Sequence, residues 1–267
     1  MEIKERIAII PCAGISERMG EIQVPKCLYE IMGKPSLVHL LDQLKNTFST
    51  FYIPISDSNK EINIYKKLIP DEYLENIVFV PSKSGSGDGQ AVLDALDIFK
   101  DKHTDNYLMI CWGDIFIKDV SIINSFLREI ETGYSEPLVI PTKEVENPYF
   151  TYFLNRNRIL KRVAFQRRGQ FFDKGLTDLS FFFIKPKSMV LYLNAMRKDQ
   201  VKENKTEDNS LYLELNFLDI VEYLSGKGNP AVSFIVADTN DISSFNTVKE
   251  AEEITNYLIK NSKENVD

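Results

Sequence analysis

Short apolar runs alternate with helix-patterned stretches through the first half of the 267-residue chain, and that alternation leaves few folds open. Arg6–Pro11, Phe51–Ile55, Ile77–Val80, Asn106–Trp112 and Pro137–Pro141 have the length and the apolar content of buried strands. Between them lie helical patterns. Pro35–Thr47 places Leu37, Leu40, Leu41 and Leu44 at helical spacing behind a Pro35-Ser36 start, and Lys60–Leu68, Ala91–Phe99 and Val120–Ile130 follow suit. Parallel strands need a long crossover, which a helix supplies. The order therefore predicts a Rossmann-like α/β fold: an open mixed, mostly parallel sheet with helices on both faces.

The second half reads differently. Tyr149–Leu154, Ile159–Phe165 and Leu179–Ile184 are strand-like and closely spaced, which favours hairpin or antiparallel pairing. Lys198–Ser210 is charged and polar, the pattern of a mobile loop or of a solvated helix face. Leu211–Leu224 is expected to be an amphipathic helix, Val232–Val236 a strand, Asn246–Ile259 a last helix, and Asn261–Asp267 a frayed end. There is no clean linker and no repeat. The expectation is one domain over 1–267, with a nucleotide-type half at 1–145 and an acceptor-type half at 146–267.

Composition removes several classes of function. A net charge of −7 argues against nucleic acid as a partner, because phosphate backbones demand a basic footprint. The longest apolar runs fall far short of the roughly 18 residues of a membrane span. The charged start followed by a short apolar stretch suits a first strand rather than a secretory leader. Cys12, Cys27 and Cys111 are widely spaced, with no CxxC pair, which points to a reducing cytoplasm. Cys12 and Cys111 fall in expected strands as small core residues. Cys27 follows Lys26, and no base accompanies its thiol. His39 and His103 are too few for a multi-histidine metal site and suit surface or packing roles.

Four segments carry candidate chemistry. The first follows the first strand: Cys12-Ala13-Gly14, then Arg18, then Pro25-Lys26. In open α/β sheets ligands bind beyond the carboxyl ends of strands, and a turn of small residues there lets backbone N–H groups approach phosphates. Arg18 and Lys26 add two cations. It is not a Walker loop, since GxxxxGK[ST] is absent. The alternative is an ordinary strand-to-helix loop with solvated charges. The second segment is Gly85-Ser86-Gly87-Asp88-Gly89, between a strand and a helix. It reads either as a close approach to a nucleoside or as a flexible turn with Asp88 as N-cap. The third is Trp112-Gly113-Asp114, whose carboxylate sits at a strand end, where Mg²⁺ is often held, although such residues are also common caps. The fourth is Phe245-Asn246-Thr247, which by itself reads as a helix start with Asn246 as the cap.

In this order the segments resemble the sugar-phosphate nucleotidyltransferase family, most of all its N-acetylglucosamine-1-phosphate uridyltransferase branch. The resemblance runs over nearly the whole chain: Ala13–Met19 with Pro25-Lys26, Gly87–Ala91, Trp112–Asp114, Asp178–Phe181, Glu214–Asp219 and Asn246–Glu250. It implies a Mg²⁺-dependent transfer of a nucleoside monophosphate from a nucleoside triphosphate to a sugar-1-phosphate or similar phosphomonoester, with release of pyrophosphate. It implies Arg18 and Lys26 as catalytic cations on the phosphates, and Asp114 and Asn246 as metal ligands. Ala13, Gly14, Gly87 and Asp88 would frame the nucleoside. Asp178, in the place of an acceptor-contacting Asn, and the nearby Arg167 would meet the acceptor. With the chain ending at 267, a β-helical acetyltransferase domain is not expected. Further positions depart from the family. Ser16-Glu17 replaces Gly and Thr/Ser in the opening loop, Gly85 replaces a base-reading Gln, and Phe165, followed by Gln166-Arg167-Arg168, replaces an acceptor-binding Glu. They suggest an acceptor other than N-acetylglucosamine-1-phosphate, smaller or more anionic. They also keep two alternatives in play: a nucleotide or sugar-phosphate sensor without transfer activity, and a cytidylyltransferase for a non-sugar phosphate or a molybdenum-cofactor guanylyltransferase.

Overall fold

The strand nearest the N-terminus, β1 (Ile7–Ile9), sits near the middle of the main sheet and alternates its side chains between two separate cores. The computed structural model describes residues 5–14, 24–98, 106–166, 171–203, 214–236 and 242–264, and these described residues hold fourteen strands, β1 included, and eight α-helices. A short hairpin, β2 (Glu30–Ile31) and β3 (Lys34–Pro35), leads into α1 (Ser36–Leu44). Then come β4 (Thr50–Ser56), α2 (Asn59–Leu68), α3 (Asp71–Leu74), β5 (Ile77–Ser82), α4 (Asp88–Asp97), β6 (Leu108–Cys111), β7 (Ile115–Ile117) and α5 (Ser121–Gly133). The second half holds β8 (Leu138–Glu146), β9 (Phe150–Leu154), β10 (Leu160–Phe165), β11 (Lys174–Asp178), β12 (Phe181–Ile184), α6 (Pro186–Glu203), α7 (Ile220–Gly226), β13 (Val232–Ile235), β14 (Ile242–Ser244) and α8 (Val248–Glu264).

The main sheet runs β11-β8-β12-β6-β1-β4-β5, with β13 also paired to β8. Pairs β6-β1, β1-β4, β4-β5 and β13-β8 are parallel, and β12 lies antiparallel to β6 and β8. Because strand side chains alternate in direction, Ala8, Ile53, Met109 and Phe183 face one core while Ile7, Ile9, Tyr52, Ile110 and Phe182 face the other. Helices α1, α2, α3 and α5 cover the first face, and α4, α6 and α7 the second. This is the expected α/β architecture with helices on both faces. The β9-β10 hairpin is antiparallel, as its spacing suggests.

Several expected elements differ. Of the two readings of the region around Lys198, the solvated helix face holds as far as Glu203, because α6 runs through to that residue with Lys198, Val201 and Lys202 exposed. Met189, Leu193 and Met196, spaced at i, i+4 and i+7, are buried on the sheet. Burying each contributes roughly 1.5–3 kcal/mol, which helps to hold a helix that otherwise exposes Lys187, Leu191 and Lys198. Residues 204–213 lie outside the described residues. The expected Leu211–Leu224 helix is shorter. Glu214–Asn216 are irregular, Phe217–Asp219 form one 3-10 turn, and only then does α7 begin. Helix α8 extends past the expected end, to Glu264.

Candidate active site

Three segments far apart in sequence meet at one point beyond the carboxyl ends of β1 and β6. The first ends in Pro25, whose fixed φ feeds a single 3-10 turn, Lys26–Leu28. Cys27 and Leu28 are buried, and the Ser36 hydroxyl donates to the Cys27 carbonyl (2.8 Å), so the turn is anchored on the start of α1. The second is Gly113-Asp114, directly after β6. A Cβ on Gly113 would stand 2.5 Å from the Cys12 sulfur and 3.3 Å from the Cys27 Cβ. Glycine is required for the strand end to press this closely on the opening loop. The third is the Phe245-Asn246 step between β14 and α8. Strand β14 pairs with β7, and the Phe245 N–H donates to the Asp114 carbonyl (3.3 Å).

The side chains converge. The Lys26 ammonium donates to the Asp114 carboxylate and to the Asn246 amide oxygen (3.0 Å), and lies 5.3 Å from the centroid of the buried Phe245 ring. The Lys26 and Asp114 side chains are 17% and 23% exposed, so the pair is partly shielded yet reachable. Asn246 is not the helix cap that its sequence suggested. Thr247 caps α8 through its hydroxyl, which accepts from the Glu250 N–H (3.3 Å), and Glu250 accepts in return from the Thr247 N–H (3.0 Å) and from the Asn246 N–H. This capping box fixes the Asn246 backbone and leaves its amide for Lys26. Ala13 and Gly14 follow the buried Cys12 at the mouth of the site. Gly14 is exposed, and open space lies where its Cβ would be.

The glycine turn plays a different part from the expected one. Gly87 has φ +92°, and a Cβ there would stand 2.3 Å from the Leu215 carbonyl oxygen. At Gly89 the same oxygen would be 2.7 Å away. The close approach these glycines permit is that of the 214–217 segment, which bonds across the turn through Leu215 N–H to Ser86 (2.9 Å) and Gly89 N–H to Leu215 (2.8 Å). Asp88 is the first helical residue and not the N-cap, which is Gly87. Its carboxylate accepts from the Gly89 N–H (2.8 Å) and the Phe217 N–H (2.7 Å), so the side chain pins this segment. Burial pushes the Asp88 carboxyl above its usual range, partly offset by those two amides.

Asp178, at the end of β11, accepts from the Tyr152 hydroxyl (2.8 Å) and from the Ser180 N–H (2.8 Å). Burial raises it to about 6 in spite of both donors. Phe165 is buried between the rings of Tyr149 and Phe150 and offers no hydrogen-bonding side chain. Burial also raises the thiols of Cys12 and Cys111, which makes both poor nucleophiles. His39 bonds the Ile31 carbonyl (2.8 Å) and meets Phe116 edge-on, a packing role. Arg18, Ser16, Glu17, Arg167, Arg168 and His103 lie outside the described residues.

The structure thus brings Lys26, Asp114 and Asn246 together and sets Asp178 beside Tyr152. Phe245 and Glu250 lay in the quoted segments without a role of their own, and Tyr152 was read only as part of a strand. Only Glu250 carried a signal, the T-x-x-E spacing of a capping box.

The MobA-like NTP transferase domain matches residues 8–179. The chain belongs to that family. The bifunctional protein GlmU of Caldicellulosiruptor saccharolyticus is 24% identical over 249 residues, which is 91% of this chain and 50% of that protein. GlmU of Methanocaldococcus jannaschii is 29% identical over 143 residues, 53% of this chain and 30% of that protein. The chain therefore spans half or less of the curated relatives it matches. Among solved structures, HddC from Yersinia pseudotuberculosis complexed with GMP-PN superimposes with a TM-score of 0.67 at 14% identity, over 95% of this chain and 99% of that one. A protein described as a glucose-1-phosphate thymidylyltransferase from Bacillus anthracis, in complex with sucrose, gives 0.66 at 14% identity, over 94% of each chain. Both likenesses concern the fold.

Proposed function

We propose that this chain joins a nucleoside monophosphate, taken from a nucleoside triphosphate, to a sugar-1-phosphate or similar phosphomonoester. The observation that carries the reading is the meeting of Lys26, Asp114 and Asn246, from three distant segments, beyond the carboxyl ends of parallel strands. An acceptor phosphate oxygen attacks the α-phosphorus, the α–β phosphoanhydride bond breaks, and pyrophosphate leaves. The nucleophile is already an anion, so the protein needs no general base. Its task is to bring two polyanions together and to stabilise spreading charge. Lys26 supplies a cation at the phosphates, with Arg18 as its expected partner on the opening loop. Ala13 and Gly14 offer backbone to the nucleotide.

Asp114 and Asn246 fit a magnesium ion. They present one carboxylate and one amide oxygen toward a single cation position, and Mg²⁺ takes few protein oxygens and completes its shell with phosphates and water. Among the described residues no group of three or more His, Cys, Asp or Glu could hold a metal by itself, in keeping with an ion shared with substrate. When bound, the ion would neutralise phosphate charge.

On this reading residues 1–145 form the nucleotide half and 146–267 the acceptor half. Asp178 meets the acceptor, with Arg167 as the expected anion contact nearby. The apolar Phe165 supports an acceptor other than N-acetylglucosamine-1-phosphate. Among the described residues no helix is long and apolar enough to cross a membrane, and three free, buried thiols fit a reducing cytoplasm.

The test is pyrophosphate release with each of the four nucleoside triphosphates, Mg²⁺ and a panel of sugar and alcohol phosphates. One productive pair is expected. Lys26→Ala and Asp114→Ala should each lose at least about 100-fold in turnover, the size typical of removing a key electrostatic group. Near-wild-type rates in both variants refute the assignment.

A further inference from the structure

Both oxygens that the reading above gives to a divalent ion are already engaged by a cation of the protein. The Lys26 ammonium bonds the Asp114 carboxylate and the Asn246 amide oxygen, with the Phe245 ring face on another side. These contacts draw together the turn after Pro25, the end of β6 and the β14–α8 junction. Without a cation, the partly shielded Asp114 carboxylate would face the Asn246 oxygen with its charge uncompensated, which is costly. With an ion there, ammonium and ion would compete for the same two oxygens. A lysine is suited to yield, because it carries a point charge on a flexible four-carbon stem. Where it would go is set by the incoming nucleotide, whose phosphates offer more negative charge than the two oxygens it leaves.

Resting on the assignment of Asp114 and Asn246 as ion ligands, we infer that Lys26 is a placeholder cation. It holds the two oxygens in register in the free protein, excludes a divalent ion until a triphosphate is present, and then swings to the phosphates. Ion and nucleotide therefore enter as a unit, and the site discriminates against the free ion. Lys26 thus has a positioning role in addition to its catalytic one.

The inference predicts a gain where a structural role predicts a loss. Mn²⁺ serves as the probe, since it shares the preference of Mg²⁺ for oxygen ligands and its unbound form is counted by electron paramagnetic resonance. In the absence of nucleotide, Lys26→Met should bind Mn²⁺ at least about tenfold more tightly than the wild type, or about 1.4 kcal/mol. The double variant Lys26→Met/Asp114→Asn should lose that gain. Lys26→Ala, checked alongside by thermal melting, should behave like Lys26→Met if the methionine disturbs folding. Unchanged or weaker Mn²⁺ binding in both Lys26 variants overturns the placeholder. Pyrophosphate release separates the two failures. If the wild type turns over and Asp114→Ala does not, while no Mn²⁺ gain appears, only the placeholder falls. If Asp114→Ala releases pyrophosphate as fast as the wild type, the ligand assignment falls and takes the placeholder with it.

Discussion

Replacing Gly87 by alanine should separate the 214–217 segment from the glycine turn, and the structure sets the size of the effect. Gly87 sits at φ +92° and ψ 159°, a backbone region that is essentially glycine-only. Forcing a residue with a Cβ into it costs about 1–3 kcal/mol. The new Cβ would stand 2.3, 2.7 and 2.8 Å from the oxygen, nitrogen and carbonyl carbon of Leu215. Backbone cannot rotate aside, so Leu215 must retreat. Its bonds to Ser86 and Gly89, at 2.9 and 2.8 Å, weaken together, at about 0.5–1.5 kcal/mol each. The sum is about 2–6 kcal/mol. For a domain of this size that lowers Tm by roughly 4–24 °C. Gly226→Ala is the control. It closes α7, and a Cβ there meets nothing within 4 Å. It should be neutral or slightly stabilising. Both are read by urea unfolding at pH 7 with circular dichroism. If Gly87→Ala unfolds within about 0.5 kcal/mol of the wild type, the claim that these glycines serve the Leu215 contact is wrong.

Three further outcomes are expected. Asp178 has its folded pKa raised by burial to about 6, against an ordinary value of about 3.9. The folded state therefore binds more protons than the unfolded one, and the penalty grows as pH rises from about 4 through about 6. Asp178→Asn should stabilise the protein at pH 7 by roughly 1–3 kcal/mol and make no difference below about pH 4; equal gains at pH 4 and pH 7 in denaturant titrations would contradict this. Asp42 behaves in the opposite way. Burial would raise it, but hydrogen bonds from Lys34, Lys45 and Tyr73 outweigh that and hold it well below the usual carboxylate range. Its stabilisation is present above about pH 4 and lost as pH falls, so Asp42→Asn should cost about 1 kcal/mol at pH 7 and progressively less toward pH 2, as followed by urea midpoints. Glu250→Ala should cost about 1 kcal/mol through the lost capping box, and it should lower kcat with Mg²⁺ through a loosened Asn246. Glu250→Gln, which keeps an accepting oxygen, should recover both, and a rate unaffected by Glu250→Ala would remove it from the site.

The parallel half of the fold was legible because its signal is redundant. Each of β1, β4, β5 and β6 is an apolar run, and α1 and α4 carry leucine or alanine stripes. Helix α6 was not, since Met189, Leu193 and Met196 are its buried contribution amid Lys187, Lys198 and Asp199, and tertiary packing rather than local pattern decides it. Strands β7 and β14 are three residues each and exist only through one another. In the site, Lys26, Asp114 and Asn246 were each named from the sequence through resemblance. What no local reading supplies is that the asparagine faces the lysine while Thr247 does the capping. The same holds for Gly87 and Asp88, whose partners at Leu215 and Phe217 lie 129 residues downstream in the case of the Asp88–Phe217 bond.

Lys26 and Asn246 are separated by 220 residues, and that interval is also a delay. At a synthesis rate of about 5–20 residues per second, the asparagine follows Lys26 out of the ribosome by roughly 11–44 s. A nascent chain already has β1, β4, β5 and β6 to assemble, along with the acidic half of the ion pair, but not the oxygen and aromatic face that complete the cage. The emerging protein therefore passes through a period in which Lys26 and Asp114 have both been made and the site is still incomplete. Substitutions in β14 or in the cap of α8 would prolong that state while leaving the sheet intact, yielding folded but inactive chains.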